Sequence, residues 1–434
     1  MPDLSAQYLE VLAKPRFGFV EWDADQVPPH YGGYSILNLP TSIAQALGAP
    51  PIGVAPPLHQ DARAAWGDTV QRIILFLVDG FGWTLFQAAR ARGLLEPWLR
   101  PALERGILTV LTSIAPSTTA AALTSLWTGR SAAEHGITAY EMWLKEYGLI
   151  ANMILHSPAF YQSGGPGSLR HAGFDPKTFL PHIPLGVHLK PHGVQAYAFQ
   201  HYSIANSGLS AMLFQEAEVK TFGTLPDLWV ALRAFLEQRP PAGERQFIWI
   251  YWGAVDGFSH RYGPRDPRVF AEIEAMVWSW ERFFWQALSS EAREGTVFLV
   301  VADHGQIATP PNPDYDVQHH PRLTRTLYLP PTGENRLVYL YPRPGRVSAM
   351  KGYFSEVWPD RFRLVPAWDV INHRLFGPGR PHPYLRDRIG EWVAIPRGDA
   401  YLWWAPKEND MQGRHAGFHR DEMLVPLIGF RLDG

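Results

Sequence analysis

The 434-residue sequence contains no cysteine. That absence excludes a disulfide framework, a thiolate nucleophile, an iron–sulfur cluster and a cysteine-type zinc finger. Any metal ion must be held by histidine, aspartate, glutamate or a hydroxyl oxygen. Charge of one sign is scarce as well: 39 Lys and Arg against 41 Asp and Glu leave a formal net charge of −2. Duplex-binding proteins carry a basic surplus, so a long nucleic acid is not the expected partner. Small anionic substrates remain open, because a metal can supply positive charge locally. Long hydrophobic runs are missing too. The N-terminal MPDLSAQYLEVLAKPRFGF has acids near its start and no apolar core of signal-peptide length. Residues 106–129 carry no charge, but nine of them are Ser or Thr and Pro116 sits in their middle. A spanning helix wants ~20 predominantly apolar residues, so this stretch reads as a strand, a turn and a helix. The expectation is no membrane partner and a cytoplasmic location.

What is present is core-forming material: 46% apolar residues, 13% aromatics and 17 Trp. At ~150 residues per domain the length allows two or three compact units. Four short apolar runs read as strands buried on both faces: RIILFLV (72–78), ILTVLTSI (107–114), QFIWIYWG (246–253) and TVFLVVA (296–302). Between the last two, Asp266-Pro267 opens a helix. Its apolar face is Val269, Ile273, Val277, Trp280, Phe284 and Leu288. Strands alternating with helices predict a parallel sheet flanked by helices. We expect one catalytic α/β domain over 1–434, a Gly-, Pro- and His-rich cap insertion at 157–210, and a small α+β subdomain at 320–400. The first ~65 residues read as extended wrapping rather than a domain.

Five islands hold residues suited to chemistry, and four of them sit at strand ends, where open α/β sheets bind ligands. They are VDGFG with Asp79, APSTTAAALTSLWTG with Thr119, VDGFSHRYGP with Asp256 and His260, VADHG with Asp303 and His304, and GRHAGFHRDEMLVP with His415 and His419. Each has a plain reading by itself. Asp-Gly after a strand is a turn, a helix-opening Thr is an N-cap, and an i,i+4 Asp/His pair is a surface contact. A lone His415 is a satisfied histidine. Asp303-His304 resists this, because two polar groups after an apolar strand need a reason to be buried.

Together the islands supply three aspartates, three histidines and one hydroxyl. Seven oxygen and nitrogen ligands suit two zinc-like divalent ions, each with a position left open. Two such ions ~4 Å apart can clamp an in-line displacement at phosphorus. A hydroxyl nucleophile at a helix N-terminus also gains from backbone N–H groups that face an anion.

The order of these islands resembles the alkaline phosphatase superfamily, and within it the type I phosphodiesterase / nucleotide pyrophosphatase family. The matching elements are Asp79, Pro116-Ser-Thr-Thr119 with Thr128-Gly129, Asp256 to Pro264, Asp303-His304-Gly305, and His415 ahead of EMLVP. The resemblance implies a three-layer α/β sandwich with a mostly parallel central sheet flanked by helices, plus cap insertions. It implies two divalent metal ions, Zn2+ first and Mn2+ as the alternative. Asp79, Thr119, Asp303 and His304 would hold one ion; Asp256, His260 and His415 would hold the other. Thr119 would be the nucleophile, forming a phospho-threonine that water then hydrolyses. His415 is preferred to His419 because a small residue and Gly follow it. His135 in EHGI also matches and reads as a structural core histidine.

The sequence departs from the family at two places. Ala122 stands where nucleotide-cleaving members often carry Asn, and Ala120 where an aromatic often follows the nucleophile. The expected function is hydrolysis of phosphodiester or pyrophosphate bonds in a small, nucleotide-like phosphate ester. The alternatives are a phosphomonoesterase or phosphomutase-like enzyme of the same superfamily, and a metal-stabilised binding module without turnover. A P-loop G-x-x-x-x-G-K-[ST] is absent, which argues against an ATP-driven enzyme. The oligomeric state is not encoded in any readable motif.

Overall fold

The computed structural model describes residues 3–67, 70–160, 165–238, 240–241 and 243–433. At its centre lies a seven-stranded sheet. The strands are β1 (Arg72–Val78), β2 (Ile107–Thr112), β3 (Val194–His201), β4 (Ala217–Phe222), β5 (Arg245–Trp252), β6 (Thr296–Val301) and β7 (Leu424–Arg431). Their spatial order is β2-β7-β6-β1-β5-β3-β4. All pairs from β6 to β4 are parallel, whereas β7 runs antiparallel to both β2 and β6. Every residue of β1, β2 and β6 is buried. A sheet covered on both faces is the condition under which strands read as unbroken apolar runs.

The four strands expected from the sequence form, each within two residues of its predicted end. The helix after Asp266 forms as well. Asp266 caps it by accepting from Arg268 N, and the α-helix runs Pro267–Trp280 before widening into a π-turn over Glu281–Trp285. All six predicted face residues are buried, each contributing about 2 kcal/mol of hydrophobic stabilisation. Residues 106–129 fold as β2, a turn and the helix α1 (Thr119–Thr128). Among the described residues no helix is long and apolar enough to cross a membrane.

A second sheet is antiparallel throughout. Its strands, in spatial order, are Phe362–Pro366, Trp392–Pro396, Leu337–Leu340, Thr332–Glu334, Glu141–Leu144, Leu149–Asn152 and Ser157–Pro158. The span 320–400 thus contributes four strands, which join the earlier three through the pairing of Gly333 with Glu141. The span 157–210 contains β3, which belongs to the central sheet, and its residues 161–164 lie outside the described residues. The N-terminal segment includes the helices Ser5–Leu12 and Leu39–Ala46. Asp3 and Ser35 form bridges to Leu108 and Thr112, so this segment covers the free edge of β2.

Candidate active site

Strand register sets the site. Leu77 in β1 lies beside Tyr251 in β5 and Val301 in β6, so the three strands end level. Asp79 follows β1, Asp303 and His304 follow β6, and α2 (Ala254–Tyr262) follows β5 with Asp256 and His260 one turn apart. Because β7 is antiparallel, its N-terminal end meets the same edge and brings the 415–419 loop with it. Close packing without side chains holds these turns together. A Cβ on Gly82 would come within 2.5 Å of Gly305 Cα, and one on Gly305 within 2.1 Å of Asp421 O.

The cap position of α1 falls to Thr118, and Thr119 is the first helical residue. Thr118 makes no side-chain bond to the helix; its Oγ1 donates to Glu334 Oε1 at 2.6 Å. The first-turn N–H groups of α1 are thereby left to an anion. Thr119 Oγ1 lies 3.1 Å from His304 Nε2 and 3.4 Å from Asp79 Oδ2.

All three histidines are fixed in the same way. His260 Nδ1 donates to Gly413 O at 2.8 Å, His304 Nδ1 to Gly305 O at 3.1 Å, and His415 Nδ1 to Ser117 O at 3.1 Å. A carbonyl can only accept, so each Nδ1 carries a proton and each Nε2 turns to the carboxylates. A histidine whose far nitrogen is anchored this way is oriented as a metal ligand. His304 Nε2 is 3.4 Å from Asp79 Oδ1 and 3.5 Å from Asp303 Oδ2. Asp256 Oδ2 lies 3.3 Å from His260 Nε2, and Asp256 Oδ1 lies 3.9 Å from His415 Nε2.

The carboxylates are under electrostatic stress. Burial raises the Asp79 carboxyl well above its usual range, and the charges of Asp303 and Asp256 raise it further. Asp303 is raised by burial too, against the pull of His304. Burial also opposes ionisation of Asp256, but His260, then His415 and His304, outweigh it and hold that carboxyl low. His260 is raised by Asp256 despite its own burial. Asp79 Oδ1 and Asp303 Oδ2 are buried with no hydrogen-bond partner. Buried acceptors of this kind are costly unless something pairs with them. A cation does so, and hard oxygen and imidazole donors suit a divalent one. Two groups offer ligand atoms within 4.8 Å of one another: Asp256 with His260 and His415, and Asp79 with Asp256 and His304. Asp256 stands in both, between the two clusters.

The structure therefore brings together Asp79, Thr119, Asp256, His260, Asp303, His304 and His415. His419 is used elsewhere: its Nδ1 accepts from Asp421 N at 3.1 Å as a helix cap. His135 is fully buried, with Nε2 3.0 Å from Ser125 Oγ and Nδ1 accepting from Ile137 N at 3.0 Å. Ala122 is fully buried. Three further residues were not apparent from sequence. Tyr251 donates its hydroxyl to Asp79 Oδ2 and is itself held protonated by burial and by the Asp79 charge. Gln306 donates to Asp256 O at 3.1 Å and also to Asp256 Oδ1. Glu334 reaches Thr118 from the second sheet. Tyr251 and Gln306 lie within a few residues of ligand motifs, which is a weak signal; Glu334 has none.

No curated protein sequence matches the chain. Among solved structures, murine ectonucleotide pyrophosphatase / phosphodiesterase 5 superposes with a TM-score of 0.56 at 16% identity, over 83% of this chain and 88% of that one. An inactive threonine-to-alanine form of the same murine protein, in complex with AMP, gives 0.56 at 15% identity over the same shares. Phosphonoacetate hydrolase from Sinorhizobium meliloti 1021 in complex with phosphonoformate gives 0.57 at 18% identity, over 83% and 90%. At such identities the likeness is one of fold, and the fold is alkaline-phosphatase-like. The type I phosphodiesterase / nucleotide pyrophosphatase family model matches residues 73–418. The chain belongs to that family, and it is a hydrolase of phosphoric esters.

Proposed function

We propose that this hydrolase cleaves phosphodiester or pyrophosphate bonds of small, nucleotide-like substrates, with Thr119 as nucleophile and two divalent ions, zinc first, as cofactors. The observation that carries the reading is the place of Thr119 Oγ1. It lies at an uncapped helix N-terminus, 3.1 Å from His304 Nε2, beside two buried carboxylate oxygens without partners. Asp79, Thr119, Asp303 and His304 would hold one ion, and Asp256, His260 and His415 the other. When bound, such ions supply positive charge to the phosphoryl oxygens and favour deprotonation of a hydroxyl or a water.

The protein's own groups do the rest. The first-turn amides of α1 face the phosphoryl oxygens. Thr119 Oγ forms a bond to phosphorus as the bond to the leaving oxygen breaks, giving a phospho-threonine. Water then attacks the same phosphorus and restores the threonine. Tyr251 and Gln306 orient Asp79 and Asp256 through the bonds described above. The second sheet, built largely from residues 320–400, frames the part of the substrate beyond the phosphate. Support for a small phosphate ligand comes from the AMP and phosphonoformate complexes of the two relatives.

The reading is tested by rapid acid quench during turnover of bis-p-nitrophenyl phosphate, followed by peptide mass spectrometry. A phosphoryl group on Thr119 is expected, with activity lost to chelators and restored by zinc. A Thr119→Ala protein with full activity would overturn it.

A further inference from the structure

Glu334 stands beside the nucleophile without belonging to the residues that would hold a cation. It ends the short strand Thr332–Glu334 of the second sheet. Its Oε1 accepts from Thr118 Oγ1 at 2.6 Å and from Tyr140 N at 2.6 Å. Thr118 immediately precedes Thr119, so this carboxyl group is anchored one residue from the reacting hydroxyl. His260 is near enough for its charge to act on Glu334, and Glu141 acts on it from the neighbouring strand. Glu141 is itself occupied, accepting from Trp404 Nε1 at 2.7 Å. Among the described residues no lysine or arginine forms an ion pair with Glu334. Burial, with Glu141 adding to it, pushes the Glu334 carboxyl up to about 7, so it is largely ionised in mildly alkaline solution.

We propose that Glu334 is a specificity-determining residue whose unpaired carboxylate, fixed to Thr118, selects phosphoryl groups bearing one negative charge over those bearing two. The favoured class is the diester or the internal anhydride phosphate; the disfavoured class is the terminal monoester. The proposal rests on Thr119 being the nucleophile. Two charges ~8 Å apart at an effective dielectric near 20 repel strongly enough to change a rate ratio on the order of tenfold. A phosphoryl group with two negative charges meets about twice the repulsion met by one with a single charge, and that one-unit difference sets the ratio. Discrimination of this kind works by disfavouring the wrong substrate rather than by adding a contact to the right one.

A purely positioning role is the competing account, because the same carboxylate holds the turn before Thr119. Glu334→Gln separates the two: it keeps an acceptor for Thr118 and Tyr140 but removes the charge. Zinc-loaded wild-type, Glu334→Gln, Glu334→Ala, Thr118→Val and Thr119→Ala proteins are assayed at pH 8.5 on p-nitrophenyl phosphate and bis-p-nitrophenyl phosphate. The expected result is a rise of about tenfold in the monoester-to-diester ratio of kcat/KM for Glu334→Gln. The gain should come from the monoester, and Thr118→Val, which retains the charge, should leave the ratio alone. Glu334→Ala reads the same ratio if the glutamine variant folds poorly. An unchanged ratio in both Glu334 variants overturns the proposal, whether or not the absolute rates fall. Failure of the nucleophile assignment is seen separately, as activity retained by Thr119→Ala.

Discussion

The imidazoles of His304 and His415 stack face to face, with ring centroids 3.7 Å apart and planes 19° from parallel. The two side chains arrive from opposite directions, one after β6 and one ahead of β7, yet they meet at the centre of the site. Stacking fixes the plane of each ring while the carbonyls of Gly305 and Ser117 fix its rotation. Neither ring can turn without displacing the other, so the two clusters are mechanically joined through this pair.

His415→Ala removes one ring and one ligand while His304 keeps its carbonyl anchor. On the proposed two-ion site, bound metal is expected to fall by about half, measured by elemental analysis after dialysis against zinc. Retention of both equivalents would contradict the assignment of His415 to the Asp256 and His260 cluster.

Gly305→Ala tests the close approach of the strand ends. The added Cβ would sit 2.1 Å from Asp421 O and 2.8 Å from Gly82 Cα, both backbone atoms that cannot swing aside. Overpacking of this kind costs about 1–3 kcal/mol or more. The thermal midpoint should drop by several degrees, and hydrolysis should fall more steeply because Asp79 and Asp303 are driven apart. Gly93→Ala, with open space around it though strained at its positive φ, is the comparison.

Arg336 and Glu422 form a fully buried pair that braces the His415 loop. Nε donates to Oε1 at 2.9 Å and an Nη to Oε2 at 2.6 Å, while Glu422 also accepts from Gly417 N at 2.9 Å and His419 N at 3.2 Å. Removing one partner strands a buried charge at about 3–5 kcal/mol. Arg336→Met should therefore lower the denaturation midpoint sharply and weaken zinc binding. The double change with Glu422→Gln should recover part of the stability in a denaturant titration.

Acid sensitivity has a separate source. His156 is 1% exposed, both its ring nitrogens lack hydrogen-bond partners, and burial lowers its pKa to about 4. The folded state keeps this ring neutral, while the unfolded chain takes up a proton near 6.5. Stability is therefore intact above pH 6.5 and is lost as pH falls from there toward 4. His156→Leu should flatten that decline in thermal melts without altering the zinc dependence of activity. Equal slopes in the two proteins would contradict it.

Much of this was legible in the chain because the physics behind it is local. β1, β2, β5 and β6 announce themselves as apolar runs, since both faces are covered. The six Asp and His residues stand out because few side-chain types can hold a cation, and most of them follow closely on an apolar strand. β3 and β4 were not legible. VQAYAFQH mixes small and polar residues, and AEVKTF is an edge strand whose middle faces solvent. The second sheet depends on Gly333 pairing with Glu141, a register that no short window encodes. Tyr251, Gln306 and Glu334 escaped notice because nothing in their type marks them; only tertiary placement aims them at the site. The cap of α1 falls one residue earlier than the helix-opening Thr119, because Thr118 and Thr119 are chemically alike; Thr118 bonds to Glu334, while Thr119 faces His304 and Asp79.

β7 lies between β2 and β6 rather than at a border of the central sheet. Leu424 pairs with Thr112, 312 residues earlier in the sequence (424 − 112). Contacts of such long sequence separation carry a high loop-closure cost and slow the formation of the sheet. Without residues 424–431 the sheet is split between β2 and β6, and the His415 loop that leads into β7 loses its anchor. Weakening the β7 pairings is therefore expected to disturb the candidate site together with the sheet, because one strand serves both.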